Sequence, residues 1–250
     1  MSRYRAGLTH LALSALVAAL VFVPIYFLWF PGVLFEGAGG RELFFLITGV
    51  DVTLGPVITT IVFRSGKKGL KFDLVVIAVL QLAALSYGVY NLFEARPVYV
   101  AYVKDRFELV RANDVDDANL EKARAKGHPG RLPLLGPQVV GAKIPKDVNE
   151  SFDVMMSGFA GKDVQTYPQY HVPYDEVRDL AKQKSLPIGR LRELNPDRVA
   201  EVEASVAGSG FPEAQVRFLP MRAGKRDLTV LIHAGTGEVL RITSFRPWQY

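Results

Sequence analysis

The chain has 250 residues, 49% of them apolar, a formal net charge of +5 and no cysteine. The missing thiols exclude a disulfide framework and a thiolate metal site, and a positive mean hydropathy with this apolar share is high for a protein that lives wholly in water. The basic residues gather beside apolar stretches, so the pI of 9.3 argues for membrane topology and against a nucleic-acid partner.

The apolar residues are unevenly spread. Residues 8–30, 43–63 and 74–93 form three stretches of about 20 residues, each near the length that crosses a bilayer as an α-helix. From residue 95 onward the chain has the mixed charge of a water-soluble domain. The expectation is a membrane protein with three N-terminal transmembrane helices in residues 1–94 and a C-terminal α+β domain in 95–250. A cleaved signal peptide is the competing reading of the first stretch, because Arg3 and Arg5 precede it. The run is too long for that, ends in bulky Tyr26, Trp29 and Phe30, and is followed by two more spans.

Basic flanks set the orientation, since Lys and Arg stay on the cytoplasmic side. Arg3 and Arg5 precede the first span, and Arg64, Lys67, Lys68 and Lys71 lie between the second and third. The loop PGVLFEGAGGRE has only Arg41 against Glu36 and Glu42. The amino terminus is therefore expected in the cytoplasm and the C-terminal domain on the far side, the periplasm of a bacterium. Trp29, Phe30, Tyr90 and Phe93 fall at that outer interface, where amphipathic rings are favoured.

The second stretch, FFLITGVDVTLGPVITTIVF, carries an ionisable group in its middle. Counted at about 1.5 Å per residue, Asp51 lies near mid-bilayer, level with Ser86 and Tyr87 of the third span, the expected hydrogen-bond partners; Gln81 is placed lower. A charge at this depth costs at least about 2.5 kcal/mol, so Asp51 is expected to face the bundle. Gly49 and Gly55 are read as sites of close helix approach. Pro56 has no N–H for the Val52 carbonyl, and the hydroxyls of Thr53, Thr59 and Thr60 are the candidates to satisfy the exposed backbone. Two roles stand open for Asp51: gluing spans two and three together, or presenting a polar notch to another protein's transmembrane helix.

Beyond the spans, RPVYVAYVKDRFELVRAND reads as a hairpin, with Val98, Val100 and Tyr102 or their alternates on one face and a tight turn at KDR. DVDDANLEKARAKG predicts a short helix, with Asp114 as N-cap and Gly127 at the C-cap. HPGRLPLLGP breaks it, PQVVGAKIP is a short strand, and KDVNESFDVMMSGFAGK is helical. In the last of these Val148, Phe152, Met155, Met156 and Phe159 form a stripe read as core packing. Helices follow near 174–184, 187–194 and 196–207, the last capped by the asparagine of NPDR. AQVRFLPMR, RDLTVLIHA and EVLRITSF end the domain as strands, the final two joined by the turn AGTGE.

Signals for chemistry are sparse. His10, His128, His171 and His233 share no ligand spacing, and each is assigned to an interface, a loop or a strand end. DVDD resembles an acidic metal pair but is explained by the helix cap. GxSxG, phosphate-loop and dinucleotide motifs are absent. No catalytic residue, metal or cofactor is expected. FRPWQY is assigned to core packing rather than to the membrane face.

An ordered set of residues carries a resemblance. GVD at 49–51, LGP at 54–56, the basic loop with Lys71 and Asp73, Gln81, Tyr87 with Gly88, Arg96 with Pro97, and DRFE at 105–108 resemble the TfpX/TfpZ family of type IV pilin accessory proteins. The likeness is good over residues 8–112 and follows the general plan beyond, including Pro247 and Trp248. It implies a non-enzymatic protein of the bacterial inner membrane that assists pilin stability, pilus assembly or pilus dynamics. Its partners would be the major or minor type IV pilins, other pilus assembly proteins and the lipid bilayer. The intramembrane candidates for partner binding are Asp51, Gly49, Gly55, Pro56, Gln81, Ser86 and Tyr87. The alternative from another class is a membrane-anchored periplasmic enzyme acting on glycans or pilin modification, which would need carboxylates such as Asp153 and Asp175 to converge.

Overall fold

A computed structural model describes residues 2–159 and 161–249. Three long helices come first: α1 (Arg3–Pro24), which continues as a π-helical turn over Ile25–Trp29, α3 (Gly40–Val62) and α4 (Leu70–Glu94), with a single turn, α2 (Leu34–Gly37), between the first two. By length and composition all three could cross a membrane. Each begins about a turn before its apolar run, because the first turns carry charges such as Arg5, Glu42 and Asp73, which hydropathy leaves out. Their outward faces are apolar, with Leu20, Ile61 and Val79 exposed.

α3 is the middle helix and packs against both α1 and α4. Small residues permit this. A methyl group on Gly7 would overlap Thr60, one on Gly55 would overlap Gln81, and one on Gly88 would overlap Ile47. At one end of the bundle the rings of Phe22, Tyr26, Phe30, Phe35 and Phe44 close the packing, Phe22 and Phe44 at a centroid distance of 5.1 Å.

α4 passes through Ala95 and Arg96 directly into β1 (Pro97–Val103), which pairs antiparallel with β2 (Arg106–Arg111) across a turn where Lys104 has φ +57°. The other strands are β3 (Gln138–Ala142), β4 (His171–Pro173), β5 (Leu186–Pro187), β6 (Val216–Arg222), β7 (Leu228–His233) and β8 (Val239–Thr243). They form one mixed sheet in the order β4-β3-β1-β2-β6-β7-β8, with β5 also beside β6; β1 with β3 and β2 with β6 are the parallel pairs. Helices α5 (Asp117–Ala125), α6 (Val148–Gly158), α7 (Arg178–Lys184), α8 (Ile188–Leu194) and α9 (Val199–Ala207) cover it.

One face buries Val100, Tyr102, Phe107, Met221 and Val230 under Val177 and Ala181 at α7. On the other, Val98, Ala101 and Val110 meet Leu120 of α5 and Val154 of α6, and Phe218 and Leu231 meet α8 and α9. β1 is therefore buried on both faces rather than on the single face its alternation suggested.

The loop before α3 is more than a connection. Leu34 of α2 enters the sheet core beside Tyr102, Phe107 and Leu228. The Gly37 carbonyl accepts hydrogen bonds from the backbone N–H groups of Lys225 (3.0 Å) and Arg226 (3.3 Å). A methyl on Gly37 would come within 2.7 Å of the Leu228 side chain.

Three local expectations are corrected. Asp116, not Asp114, is the N-cap residue of α5; the Asp114 carboxylate accepts from the Arg111 N–H at 2.8 Å, holding the turn that follows β2. The C-terminus of α5 is as predicted, with Gly127 at φ +84° and the His128 N–H returning to the Ala123 carbonyl. Asn195 makes no cap hydrogen bond; fully buried, it donates to the carbonyls of Leu191 and Arg246 and accepts from the Arg246 N–H, fastening the C-terminal segment.

The third correction is the stripe on α6. Val148 (79%), Phe152 (55%), Met155 (56%), Met156 (49%) and Phe159 (84%) are all exposed, and Val154, on the opposite side of the helix, enters the core. Helical spacing reveals an apolar face without saying what covers it.

Candidate functional site

Because α1 and α4 both lie on α3, a groove runs between them with α3 as its floor. Its deeper part encloses about 520 Å³ and is lined by His10, Leu13 and Val17 from α1, Gln81 and Leu82 from α4, and Thr48, Asp51 and Thr59 from α3. A second hollow of about 470 Å³ continues it past the shared Leu85 to Trp29 and Phe93. Measured on α4, Leu74 to Phe93 spans about 28 Å at 1.5 Å per residue, close to the hydrocarbon thickness of a bilayer.

The walls are apolar and the polar groups sit on or near the floor. Asp51 is the twelfth of the 23 residues of α3 and Gln81 the twelfth of the 25 of α4, so the two are level, which corrects the lower placement of Gln81. The Gln81 side-chain amide donates to the Asp51 backbone carbonyl at 3.1 Å, in the space left by Gly55. The Asp51 carboxylate has no hydrogen-bond partner among the described residues and borders the groove, half-buried. His10 of α1 also faces the groove, its Nδ1 at 2.6 Å from the Thr59 hydroxyl.

The remaining candidates divide. Pro56 is buried within a continuous α3, beside Gly7 of α1, where an added methyl would lie 3.2 Å from the Pro56 carbonyl. Gly49 is exposed with no atom near it and serves no close approach. Tyr87 is 71% exposed, and Ser86 borders only the upper hollow; neither bonds Asp51, because helical rotation turns both away from α3. Thr53 and Thr60 donate to the carbonyls of Gly49 and Pro56, and Thr59 is engaged with His10, so none of the three reaches Val52. His10 was missed as a groove residue, although an ionisable side chain inside an apolar run is the same signal that singled out Asp51.

In the sheet-bearing half several titratable groups have local structural partners. Burial pushes the His171 imidazole down to about 4; the ring stacks edge-on against Tyr99 and lies 2.8 Å from the Gln165 carbonyl. His233 accepts from the Thr236 N–H in the turn before β8. Burial pushes Glu108 up to about 7, against the pull of Arg222 and Arg106. The Trp248 ring lies by those two guanidinium groups, and its indole N–H donates to Asp227 at 3.0 Å, while Phe245 enters the core; Tyr250 of the FRPWQY segment lies outside the described residues.

The acidic run is dispersed into ion pairs, Asp114 with Arg111 and Asp116 with Lys162. Asp153 and Asp175 do not converge: α6 lies on one face of the sheet, and Asp175, paired with Arg178, precedes α7 on the other. Among the described residues no three His, Asp or Glu side chains group as metal ligands would.

No family model and no solved structure matches the chain. Similar curated proteins come from Dichelobacter nodosus. The fimbrial assembly protein of serogroup I is 29% identical over 215 residues, or 85% of this chain and 83% of the relative. That of serogroup E1 is 27% identical over the same shares. The fimbrial assembly protein of serogroups C1 and C2 is 39% identical over 108 residues, 42% of this chain and 82% of the relative.

Proposed function

This chain belongs to the family of fimbrial assembly proteins, and from that premise we propose that it is a non-enzymatic accessory protein of the bacterial inner membrane, of the TfpX/TfpZ kind, that holds a type IV pilin by its apolar helix during pilus assembly. The three long helices cross the membrane with the amino terminus in the cytoplasm, in keeping with the basic residues around Arg3, Arg5 and 64–71, and the sheet-bearing domain stands in the periplasm.

The groove between α1 and α4 carries this reading. It has the length of a membrane span, opens sideways, and would be completed by a fourth helix lying on α3. Lipid tails offer the Asp51 carboxylate and the His10 ring no hydrogen bonds, so filling the groove with lipid leaves polar groups in hydrocarbon at a cost of at least about 2.5 kcal/mol for a charged carboxylate. A helix bearing a hydrogen-bond donor removes that cost. The free carboxylate favours the notch over the glue as the role of Asp51, since Gln81 holds α4 through the backbone instead. Outside the membrane, the apolar stripe of α6 is the surface offered to the pilin's globular part.

Co-purification of pilin with the chain from detergent tests both contacts. Leu82→Trp, which fills the groove, and Asp51→Leu should each reduce pilin recovery several-fold while leaving the accessory protein's own melting transition in place. Phe152→Asp with Phe159→Asp should reduce it further. Undiminished recovery in the two groove variants overturns the groove as the binding site.

A further inference from the structure

The loop of residues 131–137, RLPLLGP, has no part in the groove, yet Leu134 is 61% and Leu135 75% exposed. Two contacts fix where it sits. Arg96, at the exit of α4, donates to the Pro133 carbonyl at 3.3 Å while its guanidinium covers the Phe93 ring. On the other side a Cβ at Gly136 would lie 3.6 Å from the carbonyl of Leu28, near the end of the first long helix. The loop is thus level with the last turns of α4 and of the π-helical end of α1, where Phe27, Leu28 and Tyr90 are also exposed.

We propose that this loop is a membrane anchor of the sheet-bearing domain, with Leu134 and Leu135 inserted among the lipid chains of the outer leaflet beside α1. The inference rests on the reading that the three helices cross a bilayer. Given that, the two leucines continue the apolar belt of the helix ends, and the occupant of their surface is lipid. Pro133, Pro137 and a Gly136 at φ +70° hold the loop in one shape, so inserting it orders little chain. Arg131, exposed and with no ion pair among the described residues, precedes the leucines and is placed to meet lipid phosphates.

The absence of cysteine makes the test direct. Full-length chains carrying Leu135→Cys, Leu20→Cys or Asp105→Cys are labelled with an environment-sensitive fluorophore and reconstituted in vesicles whose acyl chains carry a nitroxide quencher. Leu20 marks the outward face of α1 and Asp105 the hairpin turn far from it. The label at 135 should lose most of its emission and be blue-shifted, like that at 20, while the label at 105 stays bright. A label at 135 that behaves like the one at 105, with the label at 20 quenched, overturns the anchor and leaves the membrane reading standing. If the label at 20 is also unquenched, the membrane reading fails and the anchor with it.

Discussion

The two halves of the chain solve burial in opposite ways. The sheet-bearing half puts aromatic and branched side chains inside and ties many of its buried polar groups together, as where the Tyr174 hydroxyl donates to the Gly237 carbonyl at 2.8 Å and Thr229 to the Phe245 carbonyl at 3.0 Å. Oε1 of Gln165 and of Gln169 and Nε of Arg96, Arg178 and Arg192 are buried without a hydrogen-bond partner among the described residues. The helical half turns its apolar side chains outward and collects polar ones around a groove in which the Asp51 carboxylate is left without a bond. In the first half polar bonds fasten one segment to another; in the second an ionisable group keeps an open hydrogen-bonding capacity inside an apolar bundle.

The sharpest way to break this contrast is to damage one core and watch the other. Phe107→Ala removes a fully buried ring from the sheet and should cost about 3–5 kcal/mol. Thermal melting in detergent, followed separately by near-UV and far-UV dichroism, should show the sheet half unfolding first with the long helices retained. Leu34→Ala should cost about 3 kcal/mol although the residue belongs to the helical half. Faster proteolysis of the sheet half would be its signature, and unchanged proteolysis would mean that α2 adds nothing to that core.

Titration separates two buried groups of the sheet half. His171, held down to about 4, contributes stability that is present above its ordinary value near 6.5 and is lost as pH falls, about 2 kcal/mol between pH 6.5 and 5. Glu108, held up to about 7, has the opposite slope: its stabilisation is present below about 4.5 and lost as pH rises towards 7. The two offset each other in the wild type, so its melting temperature should be nearly flat over that window. Glu108→Gln should expose a fall on acidification, and His171→Asn a rise.

The smallest effects lie among the helices. Gly88→Ala meets the stiff Ile47 side chain and should cost about 1–3 kcal/mol of overpacking. Gly49→Ala, in open space, should stabilise α3 by up to about 1 kcal/mol. Equal effects at the two sites would remove the distinction between packed and free faces of the bundle.

Much of this was legible in the amino-acid order. Three apolar runs, the hairpin around Lys104 and the strands flanking AGTGE are local patterns of hydropathy and turn chemistry, and all are present. Asp51 at mid-helix follows from counting. Its neighbours do not, because whether Gln81 or Tyr87 faces α3 depends on the rotation of α4, and the apolar surroundings of α4 are too uniform to mark a face. His10 meeting Thr59 is a contact between residues 49 positions apart, set by how α1 crosses α3. The stripe of α6 failed as a prediction of core packing, and the entry of Leu34 into the sheet was not foreseen, for one reason: periodicity and apolarity identify surfaces to be covered, and only tertiary structure names the cover.

The seat of α2 in the sheet has a consequence for geometry. The α+β half is tied to the bundle at more than one point, two of its struts being the direct run from α4 into β1 and the Gly37 clamp on Lys225 and Arg226. Two struts remove the swivel that a single tether would allow, so the bearing of the sheet against the groove axis is set by the fold. Any helix seated in the groove would therefore leave it at one angle and at one place beneath the domain, as a part held in a jig does.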